Sequence, residues 1–283
     1  RRQDPEVQEA KALGGVREVV NSRDGNIRVT GPFSHPIMVG TFGATLLTLS
    51  LGLRRFVSGL PPLLPVLAAV ASAFVVVASG SSGPVLTVLA GMFALWAWRV
   101  QHQAGLLVLA AVAATLALHI VMEAPVWHLI ARIDVVGGST GYHRYLLIDR
   151  AIRRFPEWML LGVRSTAHWG WGLQDITNMY ILQGVRGGFV TFALFLGILW
   201  NAFRQIIRAY REVPTPDQKR LVWAFGATLF AHTVSFLGVS YFGQMVFFFF
   251  LLLGLVGGVA ETRQVPEGRT ITYRPILAKL SSR

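Results

Sequence analysis

Five stretches of this chain, residues 29–53, 56–98, 100–122, 187–203 and 221–260, contain no Asp, Glu, Lys or Arg, and together they make up 148 of its 283 residues. Crossing a hydrocarbon core of about 30 Å takes about 20 mostly apolar helical residues, because backbone groups in lipid must be satisfied within the segment. The runs of 43 and 40 residues therefore read as two spans each, broken at Gly80 to Pro84 and at Gly238 to Gln244. This predicts an all-α integral membrane protein with about seven transmembrane helices, near 37–53, 60–79, 84–99, 104–122, 181–203, 221–238 and 243–260. Five regions follow: an extracytoplasmic segment 1–35, a four-helix block 36–122, a long extracytoplasmic loop 123–180 carrying short amphipathic helices, a three-helix block 181–260 and a cytoplasmic tail 261–283.

Composition agrees. Charged residues make up 14% of the chain, against about a quarter in soluble domains, which excludes intrinsic disorder and disfavours a soluble globular fold. There is no cysteine, hence no disulfide framework or thiolate metal site. Position 1 is Arg and no signal-peptide pattern precedes the first span, so the sequence reads as a fragment lacking upstream spans.

Basic residues favour the cytoplasmic side of short loops. Arg54 and Arg55, Arg99, the group from Arg204 to Arg220, and the tail from Arg263 to Arg283 all fall on one side if residue 1 lies outside. The expected topology is multi-pass, with the C-terminus cytoplasmic. The net charge of +12 then reflects topology and attraction to membrane lipids. Nucleic acid is not an expected partner, since no basic stripe is interleaved with aromatics.

The 123–180 loop is too long for a plain connector and holds six arginines, five acids and three histidines. Leu147, Ile148, Ala151, Ile152 and Phe155 recur at helical spacing, which predicts an interfacial amphipathic helix stopped by Pro156. Arg150, Arg153 and Arg154 on it read equally as snorkelling anchors. Farther on, Trp169 and Trp171 fit an aromatic belt, but Arg164, His168 and Asp175 together do not. Arg28, just ahead of the first span, could hold either a lipid phosphate or a substrate phosphate through its bidentate fork.

Three stretches resemble the bacterial O-antigen ligase and polymerase superfamily of membrane glycosyltransferases. They are Arg28, Gly31, Phe33, His35 and Pro36 before a span; Arg144 through Leu161 and Gly162, an Arg-headed amphipathic helix with a Leu-Gly turn; and Asn178 and Tyr180 followed by Gly184, Gly187 and Gly188. The resemblance covers roughly residues 28–200. It implies transfer of a glycan from a polyprenyl-pyrophosphate carrier to a glycan or lipid acceptor in surface-polysaccharide assembly. The implied partners are that donor, that acceptor and other polysaccharide-assembly proteins. No cofactor or metal is implied. Family members have more than seven spans.

By the same resemblance Arg28 and Arg144 hold the pyrophosphate. Arg164 joins them on its charge and position, with Asn178, Tyr180 and Arg186 in support. Family ligases place His directly before the motif Asn, where this chain has Thr177. A threonine hydroxyl is no base near neutral pH, so Asp175 or His168 is the expected catalytic base, and a polymerase is favoured over a strict ligase. A transporter or lipid-linked glycan flippase, and an inactive scaffold, are the alternatives.

Among the remaining polar residues, His119 and His232 inside apolar spans read as interhelical hydrogen-bonding residues. His35 reads as a turn residue, and Arg186 as paired with a lipid phosphate, Asp175 or a substrate anion. The Phe247–Phe250 run reads as lipid-facing.

Overall fold

The computed structural model describes residues 22–23, 26–53, 63–132 and 141–261. The basic pair Arg54 and Arg55, most of the 1–35 segment and the tail beyond Glu261 lie outside the described residues. A two-residue antiparallel ladder pairs β1 (Ser22–Arg23) with β2 (Asn26–Ile27). The rest is helical: α1 (Pro36–Leu53), α2 (Leu63–Ala78), α3 (Ser82–Trp96), α4 (Ala104–Val121), α5 (Gly141–Arg153), α6 (Phe155–Trp158), α7 (Met179–Glu212), α8 (Pro216–Ser235) and α9 (Gln244–Glu261). Short 3₁₀ segments cover Ala97–Gln103, Val126–Arg132 and Ala167–Trp169. Three helices are long and apolar enough to cross a membrane: Pro36–Leu53, Ser82–Gln103 and Met179–Glu212. Leu63–Ala78, Leu109–Val121 and Gln244–Gly258 are apolar but shorter.

Helix α1 is the hub, packed against α2, α3 and α8. Small residues bring the backbones close, as membrane bundles require where lipid supplies no hydrophobic drive. A Cβ at Gly40 would sit 2.4 Å from Ser79 Oγ, and one at Gly52 2.4 Å from Ala224 Cβ. The buried threonine hydroxyls of α1 are satisfied along its own axis, Thr41 donating to Ile37 O (2.7 Å) and Thr48 to Ala44 O (3.0 Å). Beside this group, α7 and α9 flank α8 around the fully buried Leu229, Phe236 and Met245. His232 is buried there, its Nδ1 2.8 Å from Tyr241 Oη, while His119 stacks on Trp127.

Several boundaries differ from the sequence expectation. The amphipathic helix starts earlier, at Gly141, and ends at Arg153; Pro156 sits in the first turn of α6, where its missing N–H leaves no hydrogen bond unmade. Only Leu147 and Ala151 of the expected apolar face are buried, whereas Ile152 and Phe155 are exposed. Helix α7 runs on to Glu212 and is interrupted at Gly187 and Gly188. The four-phenylalanine run is not uniformly outward. At 3.6 residues per turn consecutive side chains must diverge, so Phe247 and Phe250 face out, Phe249 is buried and Phe248 packs on Phe33 and Phe42.

Candidate functional site

Of the two inter-helix breaks read from the sequence, the first is a tight turn and the second an eight-residue connection, 236–243, that opens on a turn, and each cradles an arginine. Between α2 and α3, Gly80 adopts φ +54°, and the Arg28 side chain lies across it, its Cγ 3.3 Å from where a Cβ would stand. Arg28 Nε donates to Ser79 O (2.9 Å), and its Nη2 donates to Ser81 Oγ. Arg144, in the first turn of α5 and only 8% exposed, lies against Gly238 in the turn after α8, where a Cβ would come within 3.1 Å of its Nε. Glycines at the contact points let both arginine side chains approach the backbone closely.

Arg28, His35, Ser81, Arg144, Asp175 and Thr177 line one cavity of about 470 Å³, closed on another side by Gly238, Val239 and Ser240. Among the described residues two guanidinium groups and one carboxylate line it, a set suited to an anion. The His35 pKa is lowered, chiefly by burial and then by Arg28, with Asp175 acting in the opposite sense. His35 Nδ1 accepts from the Ile37 N–H (3.2 Å), so the neutral ring carries its proton on Nε2 and can donate it in a hydrogen bond. Thr177 adds a buried hydroxyl with no hydrogen-bond partner among the described residues. An apolar groove of about 640 Å³ is lined by Ile148, Ile152, Trp158, Phe192, Asn178 and Leu237, the last two next in the chain to Thr177 and Gly238 of the cavity.

Of the expected site residues, the structure brings Arg28, Arg144 and Asp175 together. His168 and Arg164 do not line that cavity. His168 Nε2 lies 2.8 Å from Glu157 Oε2, the same oxygen that accepts from Trp169 Nε1 (3.0 Å), and Arg154 bonds Glu157 Oε1 (2.7 Å). Trp169 is thus a buried pin of the loop rather than a belt residue, whereas Trp171 is 97% exposed. Asn178 caps α7 through Ile181 N (3.1 Å) and donates to Leu237 O (3.0 Å), while Tyr180 Oη donates to Thr233 O (2.8 Å). Both fasten the start of α7 to the end of α8, and so position the Gly238 wall. Arg164 and Arg186 are exposed outside the cavity. His35 and the two turns were not expected as site residues.

The Glu157 cluster ties the loop together through one carboxylate. The His168 hydrogen bond, helped by Trp169 and Arg154, holds the Glu157 carboxyl down at about 2, against a smaller opposing effect of desolvation. The folded value lies below the ordinary one near 4.3, so the stabilisation is present above that value and is lost as pH falls towards about 2. The Trp169 indole N–H is expected to be protected from exchange at pH about 5 and to lose protection on acidification, with Glu157→Ala, which removes the acceptor, less protected than wild type at pH about 5. Equal wild-type protection at both pH values would contradict this.

A scan of protein-family models finds no match to this chain, and a search of curated proteins finds none. The class that the fold itself defines is a helical protein with three helices able to cross a membrane.

Proposed function

We propose that this protein is a membrane glycosyltransferase that moves a glycan from a polyprenyl-pyrophosphate carrier to an acceptor during surface-polysaccharide assembly. It crosses the bacterial inner membrane about seven times, with the Arg28 cavity at the outer face. The observation that carries this reading is the single cavity in which Arg28 and Arg144, 116 positions apart in the chain, converge with Asp175. Asp175 takes the proton of the acceptor hydroxyl as its oxygen attacks the anomeric carbon of the donor sugar. The bond from that carbon to the diphosphate oxygen breaks, and Arg28 and Arg144 stabilise the charge gathering on the leaving group. The His35 N–H and the Thr177 hydroxyl are further donors to phosphate oxygens. The apolar groove fits the first isoprene units of the carrier.

Transport is the second reading, and the break in α7 is the feature that favours it, since transporters often bind at broken helices. Here the break is filled by the protein's own backbone: Phe189 N donates to Met159 O (2.8 Å) and Val163 N to Val185 O (2.7 Å). It does not line the arginine cavity. Purified protein given a labelled lipid-linked donor in liposomes separates the two. Lengthened or transferred glycan supports the enzyme, whereas leaflet movement with the donor unchanged supports transport.

A further inference from the structure

A second cationic cavity lies at the opposite end of the α1, α3 and α8 group. It measures about 530 Å³ and is lined by Gly52, Leu95, Trp98, Arg99, Arg220 and Trp223. From Arg220 to Ser235, at the other end of α8, the helical rise is about 22 Å, and Gly238 of the first cavity follows within a turn. That separation approaches the thickness of a hydrocarbon core, about 30 Å, so the two cavities lie at the levels of opposite membrane interfaces.

Its aromatic wall is fixed. Trp223 Nε1 donates to Ala94 O (2.8 Å), and Trp98, Tyr210 and Trp223 pack against one another at centroid distances of 5.6 to 5.9 Å. Lys219 Nζ lies 5.8 Å from the Tyr210 ring centre, and Tyr210 Oη bonds Gln101. Among the described residues two acids lie at this end, Asp217, which accepts from Arg220 Nη1 (3.2 Å) and is 64% exposed, and Glu212, the last residue of α7. Arg99, Lys219 and Arg220 outnumber them.

Trp223 also lines an apolar groove of about 240 Å³, walled by Phe93, Ala97, Phe203, Ile207 and Phe230. A cationic pocket and an apolar groove meeting at one interfacial tryptophan match the two parts of an anionic phospholipid. A soluble phosphate would use the pocket alone. We infer that this end of the bundle binds an anionic phospholipid, with its phosphate at Arg99 and Arg220 and one acyl chain in the groove between α7 and α8. The inference needs only that these helices lie in a bilayer, and does not depend on glycosyl transfer.

The test compares binding of phosphatidylglycerol, phosphatidylcholine and inorganic phosphate to the detergent-purified, delipidated protein by native mass spectrometry. Wild-type protein is expected to retain phosphatidylglycerol in preference to phosphatidylcholine. The double variant Arg99→Gln, Arg220→Gln should bind it about 30-fold more weakly, at about one surface-charge contribution per arginine. Ile207→Gln, at a half-exposed position in the groove, should weaken the lipid and spare any phosphate binding. Tryptophan fluorescence reports whether each variant is folded, and Arg99→Gln alone, at an exposed side chain, serves if the double variant is not. Equal retention of the two lipids, or unchanged phosphatidylglycerol binding in folded arginine variants, would overturn the inference. So would phosphate binding that Ile207→Gln leaves intact while phosphatidylglycerol binding also stays intact, because the ligand would then be a soluble phosphate.

Discussion

Arg144→Ala is expected to abolish surface polymer in cells that depend on this protein, while the protein remains inserted at wild-type level. Arg144 is almost fully buried at the head of α5, and Gly238 lets its side chain approach the backbone closely. A preorganised donor aimed at developing charge is worth on the order of 10² to 10³ in rate, and alanine removes it outright. Arg28→Ala should fail to the same degree, because Ser79 O and Ser81 Oγ hold that guanidinium at the same cavity. Arg144→Lys should not rescue, since a point-charge ammonium cannot reproduce a planar two-pronged contact to phosphate. Gly238→Ala should give an intermediate loss by pushing on Arg144 Nε. Polymer at wild-type level in both alanine variants would remove the basis for the proposed transfer.

Gly188→Ala is expected to destabilise the fold by on the order of 3 kcal/mol or more, through backbone strain and collision together. Gly188 has φ +74° and ψ −174°, a region open in practice to glycine alone, and a Cβ there would meet Leu160 O at 2.1 Å. The reciprocal position is Gly162, φ +80°, whose Cβ would meet Val185 O at 2.3 Å. These two glycines let the chain after α6 exchange backbone hydrogen bonds with the broken first turns of α7. Trp158, donating to Ala151 O (2.8 Å) and packed against Gly184, completes the dock that carries α5 and hence Arg144. Thermal unfolding in detergent reads the effect. Gly197→Ala and Gly254→Ala, where a new Cβ meets nothing within 4 Å, should be neutral or slightly stabilising in the same assay. A Gly188→Ala melting curve matching those controls would show that the dock does not hold the loop.

The helical segments were legible because uncharged stretches and their glycine breaks are written locally in the sequence. Their exact ends were not, since the basic last turns of α7 and the polar start of α8 continue as helix beyond the apolar run. Arg28 and Asp175 stood out as charges close to apolar spans, and Arg144 through the family resemblance. His168 stood out equally, but its environment is set by Glu157, eleven positions earlier, and no local pattern marks that pairing. His35 was legible only as a motif and turn residue, and the turns at Ser81 and Gly238 only as breaks between spans; their place in the cavity comes from long-range packing that brings residue 28 beside 81 and 144 beside 238. Trp169 resembles a belt residue until the Glu157 acceptor fixes it inward.

The central claim is that the cavity of Arg28, Arg144 and Asp175 binds a diphosphate. Its most direct test is binding of a short-chain polyprenyl pyrophosphate to the purified protein by titration calorimetry, compared with the Arg28→Gln and Arg144→Gln variants. Each lost charge-assisted contact is worth about 1.5 to 3 kcal/mol, so affinity should fall by about 10- to 100-fold in each variant. Unchanged affinity in both variants, with their melting temperatures intact, would contradict the claim.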